Sequence, residues 1–194
     1  EKFMADMRDS QNAQGAYPGT APTGEYAGAG WGGTGWADAG IIVPYNLYVM
    51  YGDTSVILEN WESMQKYVDG FLARTGKKGP SSIWGDWLAY ESNDAEIQAM
   101  LAVCFYAWDA LMMSEMAEAT GHYDEAERYT ALYETEKEYF QSMYVRSDGR
   151  LKRQEQTACL YALYLDLLPD EQSVEAVKEQ LVNNISRNRN RLQT

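Results

Sequence analysis

Apolar side chains recur at the spacing of an α-helix along most of the chain. Between residues 55 and 75 they fall on one face, which is predicted to be buried and contains Ile57, Trp61, Met64, Val68 and Phe71. The same periodicity predicts a short helix that ends near Gln11 and further helices over 37–51, 94–119, 124–144, 156–167 and 171–188. No segment sustains the alternation that is typical of a strand. The chain is therefore predicted to be all-α.

The segments between the predicted helices are of two kinds. Short turns with stop signals, at Gly52, Gly121 and Pro169, connect some of the helices. Residues 13–35 and 75–93 are long loops instead, and the first of them holds eight of the sixteen glycines. Long loops inside a compact domain are usually functional. We therefore expect helical hairpins arranged around an axis, with a site built from the long loops on one rim.

Each long-loop region carries tryptophan beside aspartate and glycine. Trp36 and Asp38 lie in GTGWADAG, and Asp86 and Trp87 lie in IWGDWLAYES. A tryptophan face stacks on the C–H face of a sugar, and a carboxylate accepts hydrogen bonds from its hydroxyls. A structural interpretation is also open, with Asp38 as a helix N-cap and Trp36 packed onto that helix as a staple.

Charge and composition exclude several classes of partner. The formal net charge of −13 disfavours binding to nucleic acid and to anionic lipid. The sequence contains no run of 18 apolar residues, so no membrane span is predicted. Cys104 and Cys159 lie on apolar helix faces, which predicts buried thiols. The first residues already have a helical pattern, so the lack of a leader sequence leaves the compartment open.

Three motifs are better explained by structure than by chemistry. Gly28, Gly30 and Gly33 match GxGxxG, but no strand precedes them, so a dinucleotide site is not predicted. His122 is the only histidine and supports neither a catalytic triad nor a zinc site, and we predict no metal. The segment GHYDEAERYTALYETEKEYF resembles a tetratricopeptide unit, but no second copy follows at about 34 residues.

Several longer segments resemble one enzyme family. These are GWADAGIIVPYNLYVMYGD, MQKYVDGFL, GDWLAYES, GHYDEAERYTALYETEKEYFQSMYVRSDGRL and QTACLYALYLDLLP. In order and spacing they resemble the bacterial α-L-rhamnosidases of glycoside hydrolase family 78, and the likeness covers nearly the whole chain. Neighbouring families with the same barrel share parts of the pattern. The resemblance implies an (α/α)6 barrel, hydrolysis of terminal α-L-rhamnose with inversion, and no organic cofactor.

The resemblance also implies that the catalytic carboxyl pair lies outside this chain. The family carries its general acid upstream of the segment that matches residue 1 and its general base downstream of the segment that matches Thr194. Residues 1–194 are therefore expected to form a single partial catalytic domain, truncated at both ends, with about seven of twelve helices. Alone, this fragment is expected to be inactive. Helix faces left uncovered in a partial barrel favour self-association.

By the same resemblance, part of the sugar site lies within the chain. Trp36 and Trp87 match rings that wall the rhamnose pocket, and Asp38 and Asp86 match positions beside them. Trp31 and Trp84 extend the same wall. The implied partner is a rhamnose-containing glycoside or polysaccharide.

Two alternatives stay open from the sequence. The first is another (α/α)6-barrel glycosidase or lyase that acts on a different sugar. The second is a non-catalytic helical-repeat binding module, which the long loops at 13–35 and 75–93 disfavour.

Overall fold

The computed structural model describes residues 2–22, 30–75, 86, 89 and 91–192. Seven helices make up most of this part of the chain. They are α1 (Lys2–Asp9), α2 (Ala39–Tyr51), α3 (Ser55–Gln65), α4 (Ala95–Ala119), α5 (Tyr123–Tyr144), α6 (Gln156–Tyr164) and α7 (Glu171–Arg187). A π-helical segment, Lys66–Leu72, continues α3 and is followed by one further turn, Ala73–Thr75. No strand occurs within these ranges, so the predicted all-α class is confirmed.

Helices α4 and α6 both end in a hydrogen-bonded turn that requires a residue with left-handed backbone angles. Gly121 has φ of +80°, and the N–H of His122 then bonds to the carbonyl of Ala117 at 2.9 Å, which closes α4. Asp166, with φ of +51°, closes α6 in the same way. That helix is therefore shorter than the predicted 156–167, although its sequence stays apolar beyond the turn.

The helices form two layers. Successive helices α2, α4 and α6 contact one another in the first layer, and each packs on the helix that follows it, α3, α5 or α7, in the second. The first-layer helices carry apolar residues on all sides, as buried helices do, whereas α5 and α7 have a polar face. The architecture is thus three helical hairpins preceded by α1.

Helix α4 is the centre of the core. One apolar cluster joins it to α1, α2 and α3, and a second joins it to α5, α6 and α7. The helix is long and apolar enough to cross a membrane, but 72% of its most apolar window is buried inside the protein, which identifies it as a core helix. Cys104 and Cys159 are both buried free thiols in the second cluster, as predicted.

The predicted buried face of α3 is confirmed. Ile57, Met64 and Val68 are fully buried, Trp61 is 9% exposed and Phe71 packs partly buried against the same cluster. Complete burial of one such aliphatic side chain contributes about 1.5–3 kcal/mol. This face therefore fixes α3 against the rest of the first cluster.

The two ends of the hairpins differ in their connections. Short turns at 52–54, 120–122 and 165–170 join the helices of each hairpin at one end. The segments 10–38, 76–94 and 145–155 connect helices at the other end, because the helices of a hairpin run antiparallel. We call this second end the long-loop rim. It carries the described tryptophan and aspartate residues singled out from the sequence.

Candidate functional site

Trp36 lies in a tight turn directly before α2. Its backbone N–H and that of Ala37 both bond to the carbonyl of Gly33, at 3.0 and 2.9 Å. The indole side chain is 49% exposed, although the turn that carries it is fixed by these bonds. A large flat apolar ring is thus presented at the long-loop rim.

Asp38 lies beneath that turn and is only 1% exposed. Its Oδ2 accepts a 2.5 Å hydrogen bond from the N–H of Gly35, and its Oδ1 accepts one of 2.6 Å from the hydroxyl of Tyr67. Its side chain makes no capping bond to α2. Asp38 thus occupies the predicted N-cap position, but its side chain does not cap the helix and instead ties the Trp36 turn to the π-helical segment that contains Tyr67.

Burial controls the protonation of this cluster. Burial raises the pKa of Asp38, while hydrogen bonds with Asp109, Tyr67 and Gly35 oppose the rise. Burial, followed by the negative charge of Asp38, holds the pKa of Tyr67 well above its usual range. Tyr67 therefore stays a hydrogen-bond donor.

A second tyrosine supports Tyr67 from behind. The rings of Tyr17 and Tyr67 are 5.1 Å apart, and the Tyr17 hydroxyl is 2.7 Å from Oγ of Ser63. A Cβ on Gly40 would lie 2.2 Å from the Tyr17 ring, so α2 approaches this ring at a position where only glycine fits. The loop after α1 thus packs under the start of α2.

Asp86 is anchored to another part of the rim. The Oγ1 of Thr157, at the start of α6, donates a 2.6 Å hydrogen bond to Oδ2 of Asp86. The backbone N–H of Asp86 donates to Oδ1 of Asn93 at 2.9 Å. The predicted wall residues Trp84 and Trp87 lie outside the described residues.

Tyr161 of α6 lies near both motifs. Burial raises the pKa of Tyr161 to about 12. The Tyr161 ring lies 5.2 Å from that of Phe105, which packs beneath Gly35 of the Trp36 turn. Thr157, which bonds to Asp86, and Tyr161, which packs on the ring beneath Gly35, are four residues apart on one face of α6, so the fold brings Asp38 and Asp86 to the same region of the long-loop rim.

The sequence analysis did not single out a cluster of four aromatic side chains on the first-layer helices. Its members are Phe105, Trp108, Tyr161 and Tyr164. The Phe105 ring lies 5.2 Å from the Tyr161 ring, and the Trp108 ring lies 5.9 Å from that of Tyr164. A Cβ on Gly35 would lie 3.5 Å from Phe105, so the Trp36 turn rests on this group. The sequence signal was available, because these rings recur at helical spacing in α4 and α6.

Trp31 also lies at this rim. It is 47% exposed, its Nε1 donates to the carbonyl of Ser10 at 3.2 Å, and its backbone pairs with Pro18 in an isolated bridge. Next to it, Gly32 has φ of +75° and lies against the Phe71 ring. The first long loop is thus bound to the helices both before and after its tryptophans.

A polar cavity of about 550 Å³ opens near the start of α4 and the end of α7. Arg153 and Glu91 in its lining are engaged by neighbouring residues. Arg153 bonds to Asp94, Glu96 and Glu155, and Oε1 of Glu91 accepts hydrogen bonds from Asn184 and Asn188, each at 2.7 Å. These contacts join the segment 145–155 to the start of α4 and the segment 76–94 to the end of α7. In the part of the chain that the structure describes, no group of three or more acidic, histidine or cysteine side chains is placed to hold a metal ion.

Comparison with known proteins identifies the family. The sequence profile of the bacterial alpha-L-rhamnosidase six-hairpin glycosidase domain matches residues 1–194. An alpha-L-rhamnosidase of Streptomyces avermitilis is 34% identical over 176 residues, which are 87% of this chain and 16% of that protein. One from Formosa agariphila is 31% identical over 201 residues, which are 99% of this chain and 21% of that protein.

Solved structures agree with the family found by sequence comparison. The crystal structure of the Streptomyces avermitilis alpha-L-rhamnosidase complexed with L-rhamnose superposes with a TM-score of 0.86 at 32% identity, over 97% of this chain and 18% of that one. The structure from Aspergillus terreus, at 24% identity and a TM-score of 0.84 over 98% of this chain and 23% of that one, shares the fold. The seven described helices are part of an (α/α)6 barrel, and the helical-repeat alternative gains no support.

The chain spans between a sixth and a quarter of the length of these relatives. Within that span the likeness is continuous rather than confined to one motif, because it covers residues 1–194 in the family comparison. The chain belongs to the bacterial α-L-rhamnosidase family and is a piece of its six-hairpin glycosidase domain.

Proposed function

We propose that this chain contributes part of the sugar subsite of an inverting α-L-rhamnosidase. The full-length protein would release terminal α-L-rhamnose from a glycoside or polysaccharide. Residues 1–194 would be part of one catalytic domain, truncated at both ends. The family membership and the rhamnose complex of the Streptomyces avermitilis relative support this substrate class.

The observation that carries the proposal is the presentation of Trp36. Its half-exposed ring lies on a turn that is bonded to Gly33 and rests on Phe105, so the backbone that carries the ring is fixed before any ligand arrives. A fixed aromatic face binds the C–H face of a sugar at little cost in conformational entropy. The 6-deoxy methyl group of rhamnose adds apolar surface that suits such a wall.

The two aspartates would have different roles. Asp86 is partly exposed, and Trp87 follows it directly, so this pair would form the second side of the subsite. Asp38 is buried and both its oxygens bond to the protein, so it would hold the wall from behind rather than touch the sugar.

Hydrolysis with inversion requires two carboxyl groups about 6.5–9.5 Å apart, one to protonate the leaving oxygen and one to activate water. The carboxyl groups near the described part of the rim are engaged by the protein. Asp38 and Asp109 are buried, Asp86 accepts a bond from Thr157, and Glu91 accepts two amide bonds. This supports a general acid and a general base outside the chain, and an inactive fragment.

The uncovered faces of the first layer support self-association of the isolated chain. Val49 and Met50 of α2 and Leu160 and Tyr164 of α6 are 52–73% exposed. In a complete barrel, neighbouring hairpins would cover such faces. Without them, contact between copies would bury the same apolar area.

The test is hydrolysis of nitrophenyl α-L-rhamnoside by the full-length protein and by residues 1–194 in parallel. We expect nitrophenol release from the full-length protein alone. Proton NMR during the first turnovers should show β-L-rhamnose as the initial product, because inversion changes the anomer. Release of α-L-rhamnose would contradict the inverting mechanism.

Other outcomes would change the proposal in defined ways. Activity of residues 1–194 alone would show that the catalytic carboxyls lie within the chain, with Asp86 and Glu91 as the candidates. No activity from either protein on rhamnosides, combined with activity on another glycoside, would replace the substrate class.

A further inference from the structure

The carboxyl group of Asp109 is buried in the middle of α4. The residue is 0% exposed, and in the described part of the chain neither of its oxygens accepts a hydrogen bond from a donor group. An ionised carboxylate in such a place is strongly disfavoured, because nothing replaces the water it has lost. The side chain therefore has to carry a proton.

Asp38 is the neighbour that can accept that proton in a hydrogen bond. Two buried carboxyls side by side do not both ionise. Asp38 receives bonds from Gly35 and Tyr67, which favour its charged form, whereas Asp109 receives none from other described groups. Burial and the nearby charge of Asp38 hold the pKa of Asp109 well above its usual range. The pair therefore holds one charge, on Asp38, and one proton, on Asp109.

The face of α4 that carries Asp109 also supports the Trp36 turn directly. Phe105 precedes Asp109 by four residues, so the two side chains lie on the same face of the helix. Phe105 lies under Gly35, and Asp109 lies beside Asp38. One helical turn of α4 thus contacts both ends of the segment that contains Trp36.

We propose that Asp109 is a positioning residue for the sugar subsite, because its protonated carboxyl donates a hydrogen bond to Asp38 and so fixes the turn that presents Trp36. This role rests on the proposed function. With the bonds from Gly35 and Tyr67, the donor from Asp109 gives Asp38 a third anchor. The anchors come from the turn itself, from the π-helical segment and from α4.

Asp109 does not take part in the chemical step. Its side chain has no exposure to the long-loop rim, and its charged neighbour Asp38 lies between it and the Trp36 turn in the hydrogen-bond chain. A side chain that donates a hydrogen bond but cannot ionise should therefore be able to take the place of Asp109. That separates a positioning role from acid or base catalysis, because the asparagine side chain donates hydrogen bonds but transfers no proton.

The experiment compares three substitutions of Asp109 in the full-length protein. Asp109→Asn keeps a donor, whereas Asp109→Leu fills a similar volume without one and Asp109→Ala removes the group. Ser114→Ala is the matched control, since Ser114 is a buried polar residue on the same helix that bonds instead to Ala126 and Thr130 of α5.

Steady-state kinetics on nitrophenyl α-L-rhamnoside give the first readout. We expect the Leu and Ala variants to raise KM about tenfold with kcat within about twofold, as loss of ground-state binding does. The Asn variant and the Ser114→Ala control should keep the wild-type KM. A wild-type KM in the Leu or Ala variant, or a raised KM in the Asn variant, overturns the proposal. If the Leu and Ala variants do not fold, the KM of the Asn variant decides whether the proposal stands.

Hydrogen exchange gives a second readout that does not need activity. In the peptide that contains Gly35 and Ala37, exchange should accelerate in the Leu and Ala variants and stay at the wild-type rate in the Asn variant. Unchanged exchange in every variant contradicts the positioning role. If the wild-type protein cleaves no rhamnoside but the exchange pattern is as expected, the proposed function fails and the anchoring of the turn stands.

Discussion

The hydroxyl of Thr157 donates a 2.6 Å hydrogen bond to Oδ2 of Asp86, although 71 residues separate them in the sequence. This bond fixes the second tryptophan–aspartate motif to the first turn of α6. The first motif is held by Tyr67 and Gly35. The two motifs are thus anchored on different helices, so each can be tested separately.

Thr157→Val should release Asp86, because valine has the shape of threonine but lacks its hydroxyl group. Loss of the hydroxyl leaves a partly buried carboxylate without that donor, which costs about 1–3 kcal/mol. We expect a lower thermal midpoint and a higher KM for the aryl rhamnoside in the full-length protein. Thr135→Val is the control, since Thr135 is exposed and its hydroxyl bonds only to the helix backbone at Ala131. Equal effects of both substitutions would remove Asp86 from the subsite.

Trp36→Ala should lower kcat/KM for rhamnosides at least about tenfold, because a stacked aromatic contact is lost. The fold should remain, since the indole is half exposed. Tyr51→Ala is the comparison, as Tyr51 is 74% exposed at the opposite end of α2. Unchanged kinetics of the Trp36 variant would exclude this ring from the site.

Tyr67→Phe should destabilise the full-length protein by about 1.5–3 kcal/mol, the usual range for a hydrogen bond to a charged group. The phenyl ring still packs beside Tyr17, so the loss isolates the bond to Asp38. Calorimetry measures the effect. Tyr129→Phe removes a comparable bond, of 3.0 Å to Asp69, away from the site, and should lower stability without a change in KM.

Gly32→Ala should be more damaging than Gly52→Ala. Both glycines have positive φ, +75° and +68°, so both substitutions carry a backbone penalty of about 1–2 kcal/mol. At Gly32 the new Cβ would also lie 2.1 Å from the Phe71 ring, whereas nothing lies within 4 Å at Gly52. The contact should add about 1–3 kcal/mol of destabilisation. Equal losses in the two variants would show that the loop moves away from Phe71 without cost.

Asp109→Asn should change how stability depends on pH. Because the folded pKa of Asp109 is raised, its contribution is complete below the unfolded pKa and falls as pH rises towards the folded value. The thermal midpoint of the Asn variant should therefore rise relative to that of the wild-type protein as pH increases above about 4. Asp53→Asn should show the opposite trend, since Asp53 has a lowered pKa. A pH-independent difference between wild type and the Asp109 variant would show that Asp109 ionises normally.

The sequence predicted those features that depend on periodicity. The buried face of α3, the limits of α4 and α5 and the division into short turns and long loops all follow from local spacing. Trp36 was placed correctly at the rim, because a glycine-rich loop that meets an apolar helix leaves few other positions for it.

Other features depend on tertiary contacts that local spacing does not encode. The π-helical segment Lys66–Leu72 matches an ordinary helix pattern, so the role of Tyr67 was missed. Asp38 was considered as a helix cap because of its position, but its oxygens bond to Gly35 and Tyr67 instead. Asp109 had a visible signal, since it is the only charged residue between Glu96 and Glu115, but its partner lies 71 positions earlier.

The short turns at the end opposite the rim offer a practical handle for work on the full-length enzyme. Gly121 has open space around its Cα and ends α4 on the side away from Trp36 and Asp86. A cysteine introduced at the neighbouring exposed Tyr123 would attach a dye or a solid support there. Immobilised in this orientation, the protein would keep the long-loop rim, where we propose that the sugar binds, open to polymeric glycosides that a randomly attached protein would exclude.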